Sequence, residues 1–393
     1  MQIGVVGAAG GMALTVLHDL AESTDVGKVV LVDLEVAKEK MECRAQDFGQ
    51  GKFVIASCDV DNHEALRSAI KGCDAVANCT GHHRNLKVME ACLAERCHYT
   101  DMGGLFHFAR KQMQLNSAFK ERGLTAVLGM GTAPGMVNVM GRYAVDMLEE
   151  VHAFHIRDGI VNLSSANTPL AVPYSMDTIL DEFIQPPYVF TDGDWVALQP
   201  FSLPESIDFP QPVGTQTVFA TIHSEVATVP VSFRDKGLQE MSFKLALPKI
   251  FEDKLRFLTA LGFGDDDLLK VGEQKVSPRQ VLIEMVNALP KATGKPADHK
   301  ALFVDVSGRK DNRDYFIRTE MMCHPYEPWN VGAGPFSVGF PVALTLRMLA
   351  GGLITQRGAL PPEVCIPPKP FFKGLAERGL TVKVHVEYPA LGS

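Results

Sequence analysis

Gln2-Ile3-Gly4-Val5-Val6-Gly7-Ala8-Ala9-Gly10-Gly11-Met12-Ala13 opens the chain, and Asp33 closes its next apolar run. The first residues form a short apolar stretch that ends in glycines, and from Met12 to Leu20 apolar positions recur at helical spacing. That order reads as strand, tight turn, helix. A helix that starts on such a turn offers unpaired N–H groups and the positive end of its dipole to a pyrophosphate. Glycine is needed where a side chain would hold a phosphate away from the backbone, or where the turn requires unusual torsions. Gly7-x-x-Gly10-x-x-Ala13 departs from the Gly-x-Gly-x-x-Gly pattern, so its weight comes from context. Asp33 lies about 20 residues beyond Ala13, where a carboxylate accepts hydrogen bonds from the adenosine ribose and repels a 2′-phosphate. No arginine follows it directly, so the expected cofactor is NAD rather than NADP. The residues expected to hold it are Gly7, Ala9, Gly10, Gly11, Met12 and Asp33, then Asp59 and Val60 at the adenine edge, then Cys79, Thr80 and Gly81. The plain alternative is a tight turn with no ligand, Asp33 capping the next helix.

Further strands are expected at Lys28–Val32, Phe53–Ser57, Ala75–Cys79, His98–Asp101 and Thr125–Leu128, with helices between them. Continuous apolar strands alternating with helices imply a parallel, doubly wound α/β sheet covered on both faces. Beyond Gly129–Gly135 the pattern changes. Val151–Arg157, Thr217–Ile222, Met241–Leu247, Ala301–Val306 and Asp314–Met321 read as strands, and Tyr188–Leu198 as a hairpin around Thr191-Asp192-Gly193-Asp194. Ser337–Ala350 is almost wholly apolar, and a helix apolar all round needs cover on most sides. The expectation is a Rossmann-type domain over 1–132 plus 333–393, with an inserted α+β domain on a mixed, antiparallel-rich sheet over 133–332.

A chain of 393 residues, 46% hydrophobic and 21% charged, has the balance of a globular protein of about two domains. A net charge of -8 gives nucleic-acid phosphates no general attraction. The N-terminus lacks the pattern of a secretory signal, and no window approaches ~20 consecutive apolar residues, so a cytoplasmic protein with no membrane span is expected. The 8 cysteines form no Cys-x-x-Cys pair and read as reduced, mostly buried thiols, with no metal expected.

The chain resembles the saccharopine dehydrogenase-like family, and within it lysine 6-dehydrogenase-type members. The resemblance rests on His98–Gly104, Gly131–Asn138, Pro169–Phe183 with Tyr174-Ser175-Met176-Asp177-Thr178, Phe219–Val229 with Ile222-His223-Ser224-Glu225, and Gly351–Gly358 running into Pro361-Pro362-Glu363. It implies an amino-acid-type substrate whose C–N bond is oxidised, or whose imine is reduced, by a nicotinamide. It also implies a homodimer. Ala133 stands where saccharopine reductases of this kind look to carry an aspartate, which argues against saccharopine itself.

Hydride leaves an amine-bearing carbon only if the amine is neutral, so a base must take its proton. His223 is the first candidate, on a strand with Glu225 on the same face, where the carboxylate can orient the imidazole or bind an ammonium group. Asp101 ends the fifth strand, where open α/β sheets place ligands; its alternative is capping the turn at Gly103-Gly104. His82 and His83 follow the fourth strand, and His83 is taken with the substrate; no third ligand is spaced to make them a metal site. The resemblance adds Tyr174 as a pocket residue and Lys244 as a point charge for a substrate carboxylate. Three readings stand: an NAD-dependent oxidoreductase acting on an amino acid such as lysine, a saccharopine or carboxynorspermidine-type reductase, and a catalytically silent dinucleotide sensor.

Overall fold

The computed structural model describes residues 1–49, 51–164, 170, 172, 174–290 and 294–388. Pro169, Ala171 and Pro173 of the resembling stretch lie outside the described residues.

The first half alternates strand and helix throughout. It runs β1 (Gln2–Val6), α1 (Gly11–Glu22), β2 (Lys28–Asp33), α2 (Lys38–Asp47), β3 (Phe53–Ser57), α3 (His63–Ile70), β4 (Ala75–Asn78), α4 (Asn85–Glu95), β5 (His98–Asp101), α5 (Leu105–Met113), α6 (Asn116–Glu121) and β6 (Thr125–Val127). These six strands are joined by a late one, β17 (Gly358–Leu360), in the parallel order β17-β6-β5-β4-β1-β2-β3. The order reverses between β1 and β4, and a crevice for a ligand opens at the carboxyl ends of such a pair. Helices cover both faces, which is why Ile3 and Val5 on one face and Val6 and Val32 on the other are wholly buried.

Helix α7 (Val137–Val145) leads out of this sheet into β7 (Glu150–Asn162), α8 (Met176–Ile184), β8 (Tyr188–Thr191), β9 (Asp194–Ala197), β10 (Glu205–Asp208), β11 (Thr215–Ala220), α9 (Ser224–Ser232), β12 (Glu240–Ala246), α10 (Lys249–Ala260), β13 (Leu269–Val271), β14 (Gln274–Val276), α11 (Pro278–Asn287), β15 (Asp298–Lys310) and β16 (Arg313–Cys323). The second sheet is ordered β10-β11-β12-β7-β15-β16-β18, the last being Val382–Glu387, with the hairpin β8–β9 joined through β12. Among the described residues only β12–β7 is parallel of its pairs, so the sheet is mixed and antiparallel-rich. The α/β class with two different sheets is the one expected.

Strands β7 and β15 outrun the apolar segments that announce them. Arg157, Asp158, Lys300 and Asp305 interrupt the apolar run, but they neutralise one another across the ladder: Arg157 to Asp305 at 2.8 Å and Lys300 to Asp158 at 2.9 Å. The connection between β5 and β6 holds two helices, α5 and α6.

The chain then returns through α12 (Ala333–Ala350), β17, α13 (Pro362–Cys365) and α14 (Pro368–Ala376), and ends its described course in β18 (Val382–Glu387). Helix α12 is long and apolar enough to cross a membrane, yet 72% of it is buried within the protein. It lies on α1 so closely that a Cβ at Gly339 would sit 2.6 Å from the Thr15 Cβ and 2.8 Å from the Met12 carbonyl. Glycine is what allows the approach.

Candidate active site

The turn after β1 is built by contact with the loop after β4. Gly7 takes a φ of +80°, and a Cβ there would lie 2.8 Å from Thr80 Cγ2 and 2.9 Å from the Cys79 carbonyl carbon. Gly10 is the N-cap of α1; it offers no side-chain cap, and the first turn holds no acid. The leading amides of α1 therefore meet no side-chain cap and suit an anion such as a pyrophosphate. Asp33 ties this turn to the end of β2, its Oδ2 accepting from the Ala9 amide at 2.8 Å and its Oδ1 from the Leu34 amide at 2.8 Å. Each oxygen keeps a lone pair for a ribose hydroxyl. Buried Arg44, on α2, donates to the Ala8 carbonyl and, at 3.1 Å, to the Gly10 carbonyl, bracing the turn from below. Sequence reading missed it, since nothing marks one cation on a charged helix as turned inward. Val60 is buried after β3, whereas Asp59 is exposed and accepts from the Asp61 amide at 2.9 Å.

A cavity of about 380 Å³ runs from Gly10, Gly11 and Met12, past Cys79, Thr80 and Gly81, into the second sheet. Its inner wall carries Asp158, Tyr174, Glu182, His223 and Lys300 over the apolar floor of Phe243 and Leu245. The nucleotide turn and these titratable groups thus share one chamber.

His223 is not on a strand. β11 ends at Ala220, and His223 is the N-cap of α9 with Glu225 in the first helical turn, where a carboxylate suits the dipole. The two still meet: Nδ1 donates to Glu225 Oε2 at 2.5 Å, Nε2 lies 3.6 Å from Glu182 Oε1, and the ring stacks on Phe243 at 3.7 Å between centroids. Burial alone would lower the proton affinity of this imidazole, but Glu225 and Glu182 outweigh it and raise its pKa to about 10. The two carboxylates favour the imidazolium form at neutral pH. In that form it can donate a proton or bind an anion, whereas the role of base expected for it requires the neutral ring.

Glu182 sits between His223 and Tyr174, whose hydroxyl donates to Glu182 Oε2; burial and that carboxylate push the phenol well above its usual range. Glu225 stands behind His223, wholly buried, so it orients the imidazole rather than meeting substrate. Lys244 is on the opposite face of β12 from Phe243 and Leu245, bound to Glu205 at 2.8 Å, and does not line the cavity. The alternation of a strand decides this. The lysine inside is Lys300, which remains an ammonium because Asp158 more than offsets the cost of burial. Asp101 is corrected likewise: it is wholly buried outside the cavity, with Oδ1 accepting from the Gly103 and Gly129 amides and Oδ2 from Gln112 at 2.6 Å. Its carboxylate shapes the loops under the crevice. His82 faces the cavity and His83 is exposed beside it, the reverse of the expectation that named His83. Burial, and next the proximity of His83, lower the His82 pKa to about 4. Asp181, far away in sequence, faces His82 at 3.7 Å, so folding supplies the third donor that spacing withheld.

Glu182, Asp158 and Lys300 escaped sequence reading. The available signals were a carboxylate beside the buried stripe Ile179, Leu180 and Phe183, and charged residues flanking apolar strands.

Residues 3–127 match the family described as saccharopine dehydrogenase NADP binding domain, and residues 131–380 the saccharopine dehydrogenase C-terminal domain. The chain belongs to the saccharopine dehydrogenase family. Carboxyaminopropylagmatine dehydrogenase of Synechocystis is 26% identical over 96% of this chain and 96% of its own. Carboxynorspermidine synthase of Vibrio alginolyticus is 24% identical over 97% of this chain and 95% of its own. The fold is shared with saccharopine dehydrogenase (L-Glu forming) from Saccharomyces cerevisiae, at a TM-score of 0.75 over 98% of this chain and 99% of that one, with 14% identity. This family member is an NAD(P)-dependent dehydrogenase acting on C–N bonds. The lysine specificity expected earlier finds no support in these relatives, neither of which is named for lysine.

Proposed function

We propose that this chain is a reductase of C=N bonds, joining the amine of a polyamine-type substrate to an aldehyde that carries an amino-acid end. The observation that carries the proposal is the placing of His223 on the cavity wall between Glu225, at 2.5 Å, and Glu182, at 3.6 Å, two carboxylates that favour its imidazolium form. Amine oxidation needs a group that takes a proton, whereas condensation to an imine and its reduction need one that gives a proton. The name of one relative, carboxynorspermidine synthase, supports the same direction, and both relatives are named for carboxylated amine compounds.

When bound, the reduced nicotinamide dinucleotide supplies the hydride. The chain's own groups divide the remaining work. Glu182, with Asp158 deeper in the chamber, favours the positive charge of an iminium and the ammonium groups of a polyamine. His223 donates the proton that lets a carbinolamine hydroxyl leave as water. Lys300, fixed by Asp158, takes the carboxylate of the amino-acid end, the role first expected of Lys244. The apolar floor of Phe243 and Leu245 limits water around the reacting nitrogen. We assign NAD(H) as the preferred cofactor on Asp33, and two copies per assembly on the family resemblance, which light scattering tests.

The test is a panel of diamines, agmatine and amino acids, each with and without an amino-acid semialdehyde, with both cofactors followed at the nicotinamide absorbance band. Loss of reduced cofactor only when amine and semialdehyde are both present is the expected result. Oxidation of lysine alone, with no amine–aldehyde pair consuming reduced cofactor, overturns the proposal. Binding of cofactor without any turnover leaves the dinucleotide sensor as the reading.

A further inference from the structure

We propose that His82, His83 and Asp181 form a binding site for one divalent transition-metal ion, clasping the nucleotide-binding half to the inserted domain at the cavity mouth. The two histidines stand in the short turn after β4, and Asp181 on α8. Their ligand atoms all lie within 4.8 Å of one another, and His82 Nε2 is 3.7 Å from Asp181 Oδ2. Donors of a tetrahedral ion with bonds of ~2.0–2.1 Å stand roughly 3.4 Å apart. The first pair is near that spacing, and the exposed His83 is free to swing in.

A second observation points to a ligand independently. Asp181 is buried, and among the described residues its Oδ2 has no hydrogen-bond partner. A buried carboxylate oxygen facing a histidine and left unpaired is costly unless something fills the gap. Its other oxygen is fixed by Arg279 at 2.8 Å and Gln185 at 2.9 Å, so the free one is aimed rather than mobile. Arg279 does not neutralise the site, because it also binds Asp177 at 2.6 Å. Two carboxylates share one guanidinium, which leaves a negative charge for a cation. Two imidazoles and one carboxylate are borderline donors that suit zinc and its neighbours rather than calcium or magnesium.

The donors come from both halves, so an occupied site holds the mouth in this arrangement, as a clasp on cofactor exchange. The metal itself is the probe. Untagged full-length protein, freed of metal by dialysis against a chelator, is titrated with zinc chloride in a calorimeter and, separately, with cobalt chloride by absorbance. The proposal expects one zinc per chain, and a loss of at least about tenfold in affinity for His83→Ala, since even groups behind a ligand matter that much. Asp181→Asn should weaken binding similarly. His83→Ala alone decides the matter if the buried Asp181→Asn variant misfolds, because the His83 side chain is exposed. Cobalt should show the weak visible bands of nitrogen and oxygen ligands. No saturable zinc, unchanged affinity in His83→Ala, or an intense thiolate band that disappears in Cys43→Ser would each overturn the site. The readout is binding, so failure here leaves the proposed reaction untouched.

Discussion

A histidine between two glutamates sets the pH behaviour of the site. The imidazolium of His223 is stabilised in the folded protein, its pKa rising from 6.5 to about 10. Its contribution to stability is therefore complete below pH 6.5 and is lost as pH rises through about 10. Activity in the reductive direction should follow the same limb, high at neutrality and falling in alkali. Glu225→Gln removes the closer partner, so the alkaline limb of kcat/KM should move toward neutral pH by about one unit or more. A limb that does not move would separate His223 from the reaction. His223→Ala should lower kcat/KM by on the order of 10²-fold, the usual contribution of a placed acid. Asp33 offers a second test at this scale. Asp33→Ala takes away two carboxylate oxygens and releases the Ala9 amide, so NAD affinity measured by calorimetry should fall by roughly tenfold, with NADP affected less. An unchanged ratio of the two affinities would remove the cofactor assignment.

The contact between α1 and α12 is the element that positions the nucleotide turn. Gly339 has no room for a side chain against Thr15 and the Met12 carbonyl, and Met12 stands in the first turn of α1, at the cavity. Gly339→Leu should cost about 1–3 kcal/mol through overpacking. It should also weaken dinucleotide binding, because α1 must shift its amides to make room; thermal melting with and without cofactor reads both. A variant that melts earlier with unaltered affinity would mean that the turn is held by Asp33 and Arg44 instead. Elements of this kind were legible in the sequence where one rule dominated. The bounds Lys28–Val32 and Ala75–Cys79 agree with β2 and β4 to within one residue because a buried parallel strand is a bare apolar run between polar ends. The ends of β7 and β15 were not legible, since their charges are tolerated only by partners from another strand. The same limit governs the site. Gly10 and His223 carry local signals, whereas Lys300 and Glu182 gain meaning only once the strand and helix bearing them face one chamber.

At the scale of the whole molecule, the chain closes its second sheet with a strand that comes last. After α12, β17, α13 and α14 have rejoined the nucleotide-binding half, β18 crosses back and pairs antiparallel with β16 from Phe316↔Glu387 to Met321↔Val382. Little apolar area is gained by this, for most of β18 is exposed, Val384 and Val386 included. The ion pairs of Glu320 with Lys383 at 3.2 Å and His385 at 3.4 Å lie at the surface and contribute little. What β18 does is pair the backbone groups of β16, which would otherwise form an open sheet edge able to recruit another chain. Its own outer edge carries Lys383 and Glu387, charges that discourage a further strand. Ending the chain after Thr381 should therefore lower the melting temperature by only a few degrees, as expected for the loss of about 1–2 kcal/mol in a protein this size. It should produce marked, concentration-dependent self-association in light scattering, with dinucleotide affinity unchanged because the glycine turn belongs to the other sheet. If the shortened chain keeps the assembly state of the full chain at every concentration, β18 is not guarding an edge. If it loses dinucleotide affinity as well, the two sheets are coupled through the strand that joins them.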